Sequence, residues 1–226
     1  MAETYRIWYN AVMKSTLFLP VTRPWAVEAV VEALNASDIP RSVILMLDTP
    51  GCWGWFDALL DSGWRVTVVT TGRDDPPADR IARRSRHLMM RRDSQELLKD
   101  YDRVLCVEDD TLVPRDVWTR LSGLLDRGYT AATGLEYTKD GAHVPGVWRF
   151  DKNLGLYEPM FGTGIGEADA CGHYCLMTTG AEYVGAPINP DADEPVDRAH
   201  TKHLAPIAVD FDCICGHLRE DGAVIR

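Results

Sequence analysis

Three consecutive carboxylates are the residues of this sequence best suited to chemistry. Glu108, Asp109 and Asp110 follow directly on the apolar run 103–107. Alternate residues of a strand share a face, so Glu108 and Asp110 are expected to point the same way. Carboxylates this close disfavour one another's ionisation unless a cation or hydrogen-bond donors compensate. Hard divalent cations such as Mg²⁺ and Mn²⁺ take carboxylate oxygens and also coordinate phosphate, so the triplet indicates a metal and phosphate site. A solvated strand-to-turn junction is the alternative.

Two trios of soft ligands in the second half of the chain raise a rival metal hypothesis. They are Cys171-x-His173-x-Cys175 and Cys213-x-Cys215-x-His217. At a spacing of two, each trio would face one side of a strand and together they could bind zinc. Structural zinc sites more often use Cys-x-x-Cys turns, so zinc is the less favoured interpretation.

A basic stripe free of acidic residues occupies positions 80–92. Five of its members follow helical spacing and should form one face of a helix: Arg80, Arg83, Arg84, His87 and Arg91. A solvated helix face usually mixes charges of both signs, so the stripe indicates an anionic ligand. That ligand could be the phosphates of a small molecule or an acceptor such as DNA.

The elements that must position these residues alternate between strand and helix in the first half of the chain. Apolar runs predict strands at 16–21, 42–48, 65–70 and 103–107, and helical spacing predicts helices at 25–34, 55–60, 77–99 and 113–125. Such alternation predicts a largely parallel, twisted sheet with helices on both faces. Ligands of these sheets bind beyond the carboxyl ends of the strands, which is where the acidic triplet lies.

The second half has weaker signals. Strands are expected at 129–133 and near Cys175, residues 186–200 have the composition of a loop, and residues 207–212 fit a strand or a helix. Residues 138–168 are rich in glycine, aromatic and charged residues and show no clear periodicity. No repeat or linker divides the chain, so residues 1–226 are expected to form one domain.

Composition limits the class of protein. The 226 residues carry 34 acidic side chains against 24 Lys and Arg, a formal net charge of −10, and the acidic excess lies in residues 93–226. This balance argues against a protein held mainly by a DNA backbone. No apolar run reaches the length of a membrane span, no secretion signal is evident at the start, and six cysteines do not indicate a disulfide scaffold. A cytoplasmic protein without a membrane span is the expectation.

The order of these motifs resembles glycosyltransferases with the GT-A fold, particularly the family-2-like group. The resemblance is carried by a strand ending Pro20-Val-Thr22-Arg23-Pro, a strand ending at Asp48, an Arg-rich helix, and the segment Val-Leu-Cys-Val-Glu-Asp-Asp-Thr-Leu-Val-Pro at 104–114. It implies an α/β, Rossmann-related, mostly parallel sheet. About residues 1–125 would bind the nucleotide-sugar, and about residues 126–226 would bind the acceptor.

The resemblance assigns roles in donor binding. The acidic triplet would be the D-x-D-type motif, which holds Mn²⁺ or Mg²⁺ against the donor diphosphate. Metal ligands would be Asp110, Glu108 and, from the late motif Cys-Gly-His-Leu-Arg, His217. The nucleotide-sugar would be bound by Pro20, Thr22, Arg23, Asp48, Arg84 and Asp109.

The resemblance also assigns roles around the acceptor. The segment 209–222 is similar to the family's late segment in which an Asp acts as general base, so Asp210, or else Asp212, would deprotonate the acceptor hydroxyl with inversion. Sugar or acceptor contacts would come from Asp169, Gly172, His173 and Trp148.

The sequence thus predicts a metal-dependent glycosyltransferase whose acceptor is a saccharide or a modified nucleic-acid base. Two other classes stay open. A nucleotidyltransferase has a similar sheet, but the Gly-rich triphosphate loop with a following Arg and Lys is not seen near the start of this sequence. A non-catalytic carbohydrate- or nucleic-acid-binding domain would leave the acidic triplet without a role.

Overall fold

Fourteen strands and six helices make up the part of the chain that the computed structural model describes, residues 13–75, 77–137, 144–188 and 196–226. The strands are β1 (Ser15–Val21), β2 (Ser42–Leu47), β3 (Arg65–Thr70), β4 (Arg103–Val107), β5 (Thr111–Leu112), β6 (Ala131–Leu135), β7 (Val147–Asp151), β8 (Leu156–Pro159), β9 (Ile165–Ala168), β10 (Ala170–Cys171), β11 (Cys175–Thr178), β12 (Ile207–Ile214), β13 (Gly216–Leu218) and β14 (Val224–Ile225). The helices are α1 (Val27–Ala36), α2 (Gly54–Asp61), α3 (Arg80–Leu98), α4 (Val117–Leu125), α5 (Gly180–Gly185) and α6 (Val196–Thr201).

The central sheet has eight strands in the order β3-β2-β1-β4-β11-β6-β12-β9. The first four run parallel to one another, as do β6 and β12. The strand β11 lies antiparallel between β4 and β6, and β9 closes the other edge antiparallel to β12. Two three-stranded sheets, β10-β7-β8 and β14-β13-β5, flank it. The fold is therefore α/β with a mostly parallel sheet, as the sequence predicts.

Apolar residues cover both faces of the sheet at β1, β2 and β4, which are apolar at nearly every position, whereas the edge strand β3 is half-buried or exposed. On one face Leu17 and Leu105 belong to a buried cluster with Val30 of α1 and Leu121 of α4. On the other face Phe18, next along β1, belongs to a second cluster with residues of α3 and α5. Helices on both faces confirm the layered architecture. Among the described residues no helix is long and apolar enough to cross a membrane.

Three short strands, β7, β8 and β9, lie in the segment where no clear pattern was expected. Their side chains are mostly half-buried or exposed, so the sequence lacks the apolar alternation of a strand with one dry face. In the segment expected to be a loop, residues 196–201 form α6. Residues 207–212, for which the sequence allows a strand or a helix, lie in strand β12.

Candidate active site

A cavity of about 350 Å³ opens at the carboxyl ends of β1 and β4. It is lined by Arg23, Arg83, His87, Leu88, Arg91, Glu108, Glu136, Tyr137, Gly146, Trp148, Gly172, His173, Tyr174, Asp197 and His217. One wall is α3, and the facing wall combines the β10-β7-β8 sheet with α6 and β13. The location follows the rule that ligands bind beyond the carboxyl ends of parallel strands.

Asp109 is buried beneath this cavity and holds the end of β1 against the end of β4. Its Oδ2 accepts hydrogen bonds from the backbone amides of Thr22, at 2.6 Å, and Arg23, at 2.7 Å. Its Oδ1 forms an ion pair with the Arg23 guanidinium. Burial disfavours the charge on Arg23, but the nearby carboxylates outweigh it and raise the pKa of Arg23. The structure thus gives Asp109 a full set of protein partners.

Asp110 faces His217 across 3.2 Å, from Oδ2 to Nε2. The two meet because β13 pairs with β5, which follows the triplet directly. His217 Nδ1 lies 3.2 Å from the carbonyl oxygen of Tyr137. A carbonyl and a carboxylate both only accept, so these contacts are satisfied either by an imidazole protonated on both nitrogens or, with the proton on Nδ1 alone, by a cation between Nε2 and Asp110. Two acceptors in contact call for a cation or a proton.

The donor set of this pair fits a divalent cation. An imidazole nitrogen with a carboxylate oxygen suits Mn²⁺, and carboxylate alone suits Mg²⁺. Glu136 Oε2 lies 3.5 Å from His217 Nδ1, and its Oε1 accepts the Thr111 hydroxyl at 2.9 Å. Within the described ranges no three His, Cys, Asp or Glu side chains are grouped as a metal site. The pair therefore offers two ligands, and an ion bound there would need further oxygens from a ligand.

Glu108, the first acid of the triplet, lines the cavity and pairs with Arg91 of α3. The distance from Arg91 Nη2 to Glu108 Oε1 is 3.2 Å. Arg91 is only 1 % exposed, whereas the Glu108 side chain is 20 % exposed. A buried guanidinium needs such a partner, because an unpaired charge in the interior is costly.

The basic face of α3 turns towards the strand ends. Arg83, His87 and Arg91 line the cavity. His87 Nε2 lies 2.8 Å from the Thr22 hydroxyl. Burial, together with the charge of Arg23, lowers the pKa of His87 to about 4, so this imidazole is neutral. The predicted donor contact Arg84 has a side chain that lies outside the described part of the structure.

Asp48, expected to contact the nucleoside, has its carboxylate engaged by two arginines. Arg73 Nη1 lies 3.0 Å from Oδ1 and Arg86 Nη1 lies 2.8 Å from Oδ2. Asp48 does not line the cavity, and neither does Pro20, which is buried within β1 opposite Met46 of β2. Thr22 contacts His87 and Asp109 rather than open space. Among the predicted donor-binding residues whose side chains the structure describes, Arg23 is the one that lines the cavity.

The two carboxylates predicted as general base lie elsewhere. Asp210 is buried and its Oδ2 pairs with Arg120 of α4 at 2.8 Å. Alternate residues of a strand share a face, so Asp210 points to the same side of the sheet as Ala208. Ala208 belongs to the apolar cluster that includes residues of α4. Asp212 is exposed, and neither residue lines the cavity. The structure therefore does not bring this pair to the ligand site.

Three of the four predicted sugar or acceptor contacts do reach the cavity: Gly172, His173 and Trp148. A Cβ on Gly172 would come within 2.5 Å of the Tyr174 ring, so only glycine fits there. The fourth, Asp169, accepts the Phe150 amide at 2.8 Å and does not line the cavity.

The two trios of cysteine and histidine considered for zinc do not form a zinc site in the described part of the structure. Their four cysteines are buried free thiols, while the two histidines point to other partners. His173 contacts Asp197 and His200, and His217 contacts Asp110.

Sequence reasoning missed two carboxylates of the cavity, Glu136 and Asp197. Glu136 directly follows the buried strand β6, just as Glu108 follows β4, so the strand-end rule could have found it. Asp197 stands at the start of α6 and carries no comparable signal.

Comparison with solved structures gives the fold a class. The chain is similar to GalNAc-T7 solved with UDP, GalNAc and Mn²⁺, with a TM-score of 0.63 and 11% identity over 93% of this chain and 44% of that one. It is also similar to A197 from STIV, with a TM-score of 0.55, 14% identity and coverage of 94% and 93%. A third likeness is to a 4-diphosphocytidyl-2C-methyl-D-erythritol synthase, with a TM-score of 0.50, 10% identity and coverage of 94% and 93%. No protein-family model and no curated protein matches the sequence. These likenesses show a GT-A-like fold, which glycosyltransferases share with nucleotidyltransferases.

Proposed function

We propose that this chain is a metal-dependent glycosyltransferase that moves a sugar from a nucleotide-sugar to an acceptor hydroxyl, with inversion. The observation that carries the proposal is the contact between the buried Asp110 and His217, beside Arg23, where strands β1 and β4 end; His217 and Arg23 line the cavity there. An oxygen and a nitrogen acceptor in contact are suited to a cation. Guanidinium groups beside them are suited to phosphate.

When bound, Mn²⁺ or Mg²⁺ would neutralise negative charge on the leaving diphosphate. Side chains of the protein would bind the phosphates and the sugar. Arg23, held by Asp109, and Arg83 on α3 would bind phosphate oxygens. Trp148 would pack on the transferred sugar, since its ring lines the facing wall.

The two halves of the chain take different tasks in this proposal. Residues up to about 125 supply Arg23, Arg83 of α3 and Asp110, which would bind the donor and its metal. Residues from about 126 supply Trp148, which would pack on the transferred sugar, and Gly172 and Asp197, which would face the acceptor; all three line the cavity. Because Arg83, His87 and Arg91 face the cavity, the basic face of α3 favours a small anionic donor over a DNA duplex. Duplex binding at low salt would support DNA as acceptor instead.

A nucleotidyltransferase is the second candidate, favoured by the likeness to the 4-diphosphocytidyl-2C-methyl-D-erythritol synthase over nearly the whole length of both chains. The two candidates differ in their products. A glycosyltransferase releases nucleoside diphosphate from a nucleotide-sugar, whereas a nucleotidyltransferase releases pyrophosphate from a nucleoside triphosphate and a phosphorylated substrate.

The test is a panel of nucleotide-sugars with Mn²⁺ or Mg²⁺, read by nucleoside-diphosphate release and by the shift in melting temperature on donor binding. We expect one donor to stabilise the protein in the presence of metal. Asp110→Ala should abolish the metal-dependent part of that shift. The control is Asp126→Ala, which removes an exposed carboxylate that pairs only with Arg103 in the described structure.

Two outcomes would refute the proposal. One is a folded protein that responds to no donor but releases pyrophosphate from a nucleoside triphosphate. The other is unchanged metal-dependent turnover in Asp110→Ala.

A further inference from the structure

A chain of three polar side chains runs from the cavity into the interior beside it. Asp197 Oδ1 lies 2.9 Å from His173 Nδ1, and His173 Nε2 lies 2.7 Å from His200 Nδ1. Both imidazoles are fully buried, while the Asp197 side chain is 24 % exposed and lines the cavity. The chain therefore has one end at the ligand site and the other in the core.

The hydrogen-bond directions in this chain follow from chemistry. A carboxylate only accepts, so His173 donates from Nδ1 to Asp197. Burial, together with the charge of Arg91, holds the pKa of His173 well below its usual range. Burial and the neighbouring His173 do the same to the pKa of His200. A neutral His173 has no second proton, so its Nε2 accepts from His200. Each member thereby fixes the orientation of the next.

Three carboxylates among the described residues line the cavity: Glu108, Glu136 and Asp197. Glu108 is the partner of the buried Arg91, whose charge would be left unpaired in the interior without it. Glu136 binds the Thr111 hydroxyl and lies beside His217, within the proposed metal environment. Asp197 comes from the wall that carries Trp148 and Gly172, the side assigned above to the acceptor.

We propose that Asp197 is the general base of the transfer and that His173, backed by His200, is its positioning residue. The inference rests on the proposed function. In the step, the acceptor hydroxyl oxygen forms a bond to the anomeric carbon and its proton passes to the Asp197 carboxylate. The bond between that carbon and the diphosphate oxygen breaks, and the nucleoside diphosphate leaves with the bonding pair. The hydrogen bond from His173 holds the carboxylate in place for this transfer.

The experiment compares Asp197→Asn with wild type, using the donor identified in the panel above and an acceptor that supports turnover. General-base catalysis contributes about 10²–10⁴-fold, so kcat for transfer should fall by about that factor. The donor-induced melting shift should stay within error, because donor binding does not need the base. Asp126→Asn is the matched control for the loss of one charge.

Two further variants keep the proposal testable if Asp197→Asn folds poorly. His173→Ala removes the donor to Asp197 and should lower kcat about 10-fold or more. His173→Asn, which can place an N–H near the same carboxylate, should recover part of that loss. A merely structural His173 would lower the melting temperature in both variants without the difference in kcat.

Failures of the two proposals are distinguishable. No donor response in the wild type refutes the proposed function. A normal donor response with full kcat in Asp197→Asn refutes the assignment of Asp197, as does a product that retains the donor's anomeric configuration. Loss of kcat in Asp210→Asn, with Asp197→Asn active, would transfer the role to Asp210.

Discussion

Replacing Asp109 by alanine should destabilise the fold by about 3–5 kcal/mol, although its neighbour Glu108 lines the cavity and Asp110 lies beside it. The Asp109 carboxylate accepts the backbone amides of Thr22 and Arg23 and pairs with the Arg23 guanidinium. It is 0 % exposed, so water cannot replace it in the intact fold.

The magnitude follows from the groups left behind. A buried N–H that loses its acceptor costs about 1–3 kcal/mol, and two amides are affected here. Breaking a buried ion pair by removing one partner costs about 3–5 kcal/mol. These costs share one carboxylate and do not add. Asp110 Oδ2, 3.4 Å from Arg23 Nη2, retains part of the attraction. For a chain of this size, 1 kcal/mol corresponds to about 2–4 °C, so the melting temperature should fall by about 6–20 °C.

Urea unfolding followed by circular dichroism measures this change, since a shift of the midpoint at constant slope reports stability. Asp109→Asn keeps one carbonyl oxygen for the two amides and should lose less than Asp109→Ala. If Asp109→Ala unfolds at the wild-type midpoint, the carboxylate is not a structural link between β1 and β4.

Other substitutions probe the cavity and the core. Gly172→Ala should raise the KM for the acceptor and cost about 1–3 kcal/mol of stability, because the new Cβ lies 2.5 Å from the Tyr174 ring; an unchanged KM and urea midpoint would show that the ring moves freely. Gly180→Ala should abolish folding or lower the urea midpoint further than Gly172→Ala does, since its Cβ would lie 1.9 Å from the backbone oxygen of Leu98. Burial lowers the pKa of His87 to about 4 in the folded protein. As the pH falls, this histidine is therefore protonated in the unfolded chain before it is protonated in the folded one. Stability should therefore fall as pH drops from about 6.5 to 4, and urea midpoints of His87→Gln should show a smaller fall over that window.

The parallel half of the fold was predictable because its strands are buried on both faces. Continuous apolar runs mark β1, β2 and β4, and the acids after β4 mark the ligand edge. The half-exposed strands β7 and β8 gave no such signal. Their packing against the cavity depends on long-range pairing that local periodicity does not encode.

The candidate site was predictable where a residue's place follows from a strand end. Arg23 and Glu108 line the cavity, and Asp110 lies beside it, for this reason. Asp210 illustrates the limit of the approach. In a strand buried on both faces the pattern does not reveal which face each residue takes, and Asp210 lies on the side of α4.

The insertion of β11 between β4 and β6 has a consequence for synthesis of the protein. The strands β3, β2, β1 and β4 have all been synthesised once residue 107 is added, but the partner of the free side of β4 is residues 175–178. At about 5–20 residues per second, synthesis of the segment between β4 and β11 takes roughly 3–14 s, during which this edge of β4 has no partner strand. An unpaired strand edge is a template for pairing with other chains. A fragment ending near residue 125 should therefore aggregate, and the two halves of this chain would not be separable by truncation.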